Sequence, residues 1–155
     1  MKTEFELNRE MMGAWGNWAF CTQYNRKHPG HYSKRLLANN VLVYRRARAA
    51  LRAGQYVQET NERGNAVYRD DAAMKKLGLR GNYFSDFYDY RKQLPHWRQL
   101  STWQDASYFG VIHDRETRSV FTYAEGDKTL VVCATDESFQ AELDSAIAFY
   151  KHGEV

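Results

Sequence analysis

The chain has 155 residues and a formal net charge of +3, with eleven Tyr, eight Phe and four Trp against an otherwise ordinary apolar content. That length suits one domain burying about two-thirds of the surface its unfolded chain exposes. No apolar run approaches the ~20 residues of a bilayer span, the start Met-Lys-Thr-Glu-Phe-Glu has acids where a signal peptide needs an apolar core, and Cys21 and Cys133 make no disulfide framework. The expectation is a reduced, cytoplasmic protein with no membrane partner.

Charge is segregated along the chain. No Asp or Glu occurs between Glu10 and Glu59, while Arg26, Lys27, Lys34, Arg35, Arg45, Arg46, Arg48 and Arg52 give that stretch +8. Residues 101–155 carry four basic and ten acidic groups, for −6. Such asymmetry points to a charged partner, or to segments that solvate opposite surfaces.

Thr3 and Glu6 match a capping box, and a helix follows to about Tyr24. Leu7, Met11, Trp15 and Trp18 fall on one helical face and are expected in the core. His28-Pro29-Gly30-His31 stops this helix. A second runs from about His31–Ser33 to Ala53, with Gly54 as its left-handed stop. Leu36, Val43, Tyr44, Ala47, Ala50 and Leu51 take one side of it. Lys34, Arg35, Arg45, Arg46, Arg48 and Arg52 take the other, an all-basic outer face.

Gln55–Tyr68 reads as a β-hairpin about the turn 60–65, with Arg63 at its tip. Basic helix then hairpin resembles the recognition helix and wing of a winged helix, although that motif's short first helix and tight turn are missing. Asp70 or Asp71 caps a short helix to Gly78. An aromatic helix, Tyr83 to Leu94, follows. Its face of Phe84, Phe87, Tyr88, Arg91 and Leu94 is expected inward, and Tyr83 and Tyr90 outward, where exposed aromatics stack on unpaired bases. Three apolar runs, 108–112, 120–123 and 130–133, form an antiparallel meander. Asp136 caps a final helix to Lys151, with Phe139, Leu143, Ile147 and Tyr150 on one face.

The fold class is therefore α+β: N-terminal helices including a long basic amphipathic one, a hairpin, an aromatic helical segment, and a three-stranded meander packed by a C-terminal helix. One compact domain, 1–155, is expected, subdivided into a basic helical part (1–100) and an acidic βββα module (101–155).

Chemistry-bearing residues are few. Cys21, His28 and His31 have ligand-like types, but structural zinc takes four such groups, so no metal and no cofactor is expected. His113 and Asp114 at a strand end and Glu125 at a turn are the least poor acid–base candidates, and nothing in sequence gives them the geometry catalysis needs. No phosphate loop or nucleophile elbow is present. The leading expectation is a small nucleic-acid-binding protein whose basic helix contacts phosphates, with Arg63, Tyr83 and Tyr90 adding contacts. The alternative is a phage or mobile-element interaction module that inhibits a host enzyme or defence factor, either gripping an acidic protein surface with the basic helix or occupying a nucleic-acid site with the acidic residues 101–155. A small nucleotide- or nucleic-acid-directed enzyme comes third. A homodimer through the tyrosine-rich helix fits the same residues.

Overall fold

A computed structural model describes residues 1–81, 85–100 and 107–153. Tyr83, Phe84 and the side chain of Tyr150 lie outside the described residues. The architecture is α+β, with five helices and a five-stranded antiparallel sheet. It divides into two compact units, Met1–Gln58 and Glu59–Val155.

The first unit is a helical hairpin of α1 (Glu4–Lys27) and α2 (Lys34–Arg52). The capping box at the start of α1 is formed: Glu6 N–H donates to Thr3 Oγ1 at 3.2 Å, and Thr3 N–H to Glu6 Oε2 at 2.9 Å. Gly30 takes φ +77° in the connection. The Asn25 side chain donates to Tyr32 O and accepts from Tyr32 N–H, which clamps the turn. Ser33 caps α2 by accepting from Leu36 N–H at 3.1 Å. The buried residues of the hairpin are Leu7, Ala14 and Cys21, seven apart on α1, with Ala47 on α2. The expected core stripe holds at Leu7, which is buried, and Met11 is half-buried, but its tryptophans are corrected. Met12, Trp15, Trp18 and Phe20 are exposed, because small side chains occupy the facing stripe and let the helices approach.

The second unit begins with β1 (Ala66–Arg69), then α3 (Asp71–Leu77), α4 (Phe87–Gln93), β2 (Arg98–Gln99), β3 (Phe109–Asp114), β4 (Ser119–Ala124), β5 (Asp127–Val132) and α5 (Asp136–Gly153). The strand order is β1-β5-β4-β3-β2. The expected meander is its centre, but the sheet is wider than three strands. The hairpin expected over Gln55–Tyr68 is reduced to one bridge, Thr60 to Ala66. Val57 instead bridges Thr3, and β1 pairs with β5, Ala66 opposite Val132. The likeness to a helix and wing ends there.

Alternate residues of the sheet serve two cores, as the pleat requires. Ile112, Phe121 and Leu130 pack with Phe87, Tyr90, Ala73 and Trp97, while Val111, Val120 and Cys133 pack with Phe139 and Leu143. Helices therefore cover both faces rather than one. Tyr90, expected outside, is fully buried, 5.6 Å from the Tyr123 ring, and Tyr88, expected inside, is exposed. Asp86 caps α4 through Asp89 N–H, and that start sets the inward face at Phe87 and Tyr90. At the other end of the sheet, the cap of α5 is Thr135, which accepts from Ser138 N–H, rather than Asp136.

Candidate functional site

The cations of α2 stand in two groups, Lys34 and Arg35 at its start and Arg45, Arg46, Arg48 and Arg52 toward its end, with exposed Leu36 and Leu42 between them. Lys34, Arg35, Arg45, Arg46, Arg48 and Arg52 are all exposed along the 19 residues of α2. Among the described residues, none of the six takes part in an ion pair; the pairs present join Lys2 to Glu10, Arg63 to Glu142, Arg69 to Glu59 and Arg118 to Asp136. No acid stands in the first turn of α2, where Lys34 and Arg35 sit. A helix N-terminus carries partial positive charge, so these two cations are placed against the local field. An open groove of about 610 Å³ runs beside them, lined by Ser33, Arg35, Leu36, Ala38, Asn39 and Leu42.

Arg63, expected as a contact residue, is held inside the second unit. Its guanidinium grips Glu142 with two parallel bonds, Nε to Oε2 at 2.8 Å and a terminal N–H to Oε1 at 2.7 Å. Asn61 and Asn65 donate to the same carboxylate at 2.9 and 2.8 Å. The cluster ties the turn 61–65 to α5, and the Arg63 side chain remains 38% exposed within it. Nothing in the local sequence marked Glu142 as its partner, 79 residues away. Tyr90 is a core residue, and Tyr83 lies outside the described residues.

His113 stands opposite Arg98 in the β2–β3 register. A recess of about 200 Å³ there is lined by His96, Arg98, His113, Asp114, Arg115 and Glu116. Burial, then the charges of Arg98 and Arg115, hold the His113 imidazole below its ordinary 6.5 against the opposing pull of Asp114. Burial and the two arginines thus favour the neutral ring. Asp114 is occupied: its carboxylate accepts from Thr117 N–H at 3.1 Å and Thr117 Oγ1–H at 2.6 Å, closing the β3–β4 turn. Glu125 occupies the β4–β5 turn with φ +48°, and its N–H donates to Tyr108 O. Five residues of β3 separate that level from His113, roughly 17 Å at strand rise. His113, Asp114 and Glu125 are thus not one site. Two arginines and two carboxylates line the recess.

Among the described residues, no three His, Cys, Asp or Glu side chains gather as a metal site. Cys21 is buried in the hairpin, whereas His28 stacks on the Tyr24 ring at 4.4 Å and His31 meets it tilted at 4.8 Å. No helix among the described residues is long and apolar enough to cross a membrane. The chain matches no protein-family model, and no curated protein or solved structure is similar to it at a significant level.

Proposed function

We propose that the protein binds nucleic acid through α2, whose cations lie along a phosphate backbone. The observation that carries this reading is six exposed cations on one helix face with no ion pair among the described residues. Ordinary exposed helices mix signs, because opposite charges four apart stabilise and like charges oppose. Six like charges are costly in isolation and become favourable beside a polyanion. The helix spans roughly 28 Å at its usual rise, enough to follow several phosphates. Contacts of this kind give affinity without a base code.

The test is binding of labelled single- and double-stranded DNA and RNA across a salt series. Three to five neutralised phosphates give a log–log salt slope of about −3 to −5 on duplex DNA. The variant Arg45→Glu/Arg46→Glu/Arg48→Glu, folded by circular dichroism, should lose binding at low salt. Absence of binding by the wild type at low salt rejects the proposal.

A second reading is favoured by the exposed Trp15, Trp18, Met12 and Phe20. Trp is a frequent interface hot spot, so an interaction module that grips an acidic protein, of the kind a phage or mobile element uses against a host enzyme, suits the same hairpin. Its signature is a tight complex with one protein, indifferent to nucleic acid.

A further inference from the structure

We infer that the outer face of α1 docks a second copy of this chain, antiparallel, with Gly16 at the twofold axis. The hairpin places its small side chains inward, Ala14 and Cys21 on α1 and Ala47 on α2. Its large apolar side chains stand outward: Met12 is 57% exposed, Trp15 52% and Phe20 58%. At about 100° per residue, Met12, Gly16 and Phe20 form one line and Trp15 flanks it.

Charge selects the occupant. Residues 11–25 contain no Asp, Glu, Lys or Arg, so two copies of this face meet without opposing like charges. The face of α2 repels its own copy and suits a polyanion. The spacing is also self-complementary. An antiparallel pairing centred on Gly16 sets Met12 level with Phe20 of the second copy, and Phe20 level with the second Met12. Thioether–aromatic contacts are favourable. No atom lies within 4 Å of where a Cβ would stand at Gly13 or Gly16, so the backbone is open to close approach. Such an interface is isologous, the commonest closed form.

The area sets the strength. Three side chains of ~150–250 Å² each, half exposed, offer roughly 300 Å² per copy. About 600 Å² across the axis, before backbone and flanking residues, is below the ~1,200 Å² of a permanent interface. The expected assembly is a weak, concentration-dependent dimer.

The test is sedimentation equilibrium of the full chain in high salt without nucleic acid, where the phosphate-binding reading of α2 contributes nothing. The wild-type mass should rise toward that of a dimer over micromolar to sub-millimolar concentrations. Trp15→Glu and Met12→Glu, with unchanged circular dichroism, should stay monomeric. Gly16→Cys should give a disulfide-linked dimer on mild oxidation, and Ala49→Cys, on the outer face of α2, should not. A wild type monomeric at every concentration, or equal cross-linking at both positions, overturns the inference. A monomer that binds anionic phospholipid vesicles and loses this in Trp15→Glu also overturns it and assigns the face to lipid.

Discussion

Glu142 concentrates more buried polar interaction than any candidate for chemistry. Its carboxylate accepts from Arg63, Asn61 and Asn65, and its side chain is 10% exposed. Burial pushes its pKa up, but the hydrogen bonds from Arg63, Asn65 and Asn61 outweigh that and hold it below the ordinary 4.5. The folded state therefore binds this proton more weakly than the unfolded chain. The stabilisation is complete above about pH 4.5 and is lost as pH falls through the lower, folded value. Glu142→Gln should lower the urea midpoint at pH 7 and flatten its fall between pH 5 and 3. An unaltered acid limb in that variant would remove Glu142 from the acid response. Glu142→Ala should cost on the order of 2–3 kcal/mol, less than a fully buried pair, because Arg63 is 38% exposed and rehydrates.

Between elements, Gly110 of β3 lies against the Phe87 ring of α4, where a Cβ has no room. Phe87 is fully buried and cannot swing aside. Gly110→Ala should therefore destabilise by about 1–3 kcal/mol, read as a lower thermal midpoint; an unchanged midpoint would mean α4 shifts without cost. Elements with local signals were legible in the sequence: the Thr3–Glu6 box, the Pro29-Gly30 break, the Gly54 stop and the three central strands. Elements defined by a distant partner were not. β2 is two polar residues that, among the described residues, join the sheet through β3, and β1 reads as half of a hairpin until β5 is placed beside it. Residues 7, 11, 15 and 18 satisfy helical spacing as well as 7, 14 and 21 do. What decides between the stripes is the size of the facing side chains, since Ala14, Cys21 and Ala47 permit an approach that a tryptophan in the seam blocks. The same limit applied at Tyr90, whose side of α4 was fixed by the Asp86 cap and not by aromatic content.

At the scale of the molecule, charge and structure divide at the same place. Met1–Gln58 carries ten basic and three acidic residues, a net +7, and Glu59–Val155 carries −4. The boundary falls before the hairpin turn, ahead of the 100/101 division suggested by composition, because β1 is committed to the sheet. The basic residues were legible as exposed because a helix displays its pattern locally, while the pairing of Arg63 with Glu142 was not. This division gives a footprint for each surface in hydrogen exchange. A short oligonucleotide at low salt should slow exchange across Lys34–Arg52, by mass action on the folded hairpin. It should leave the amides of β3, β4 and β5 unchanged. Raising protein concentration without nucleic acid should instead slow exchange near Met12–Phe20, the face assigned to the second copy. Salt should erase the first footprint and spare the second, since one rests on charge and the other on apolar contact. Oligonucleotide protection centred on β2 and β3 would move binding to the recess beside His113. Protection by both additions over the same α1 residues would mean that one surface serves both partners, and that a dimer and a nucleic-acid complex exclude each other.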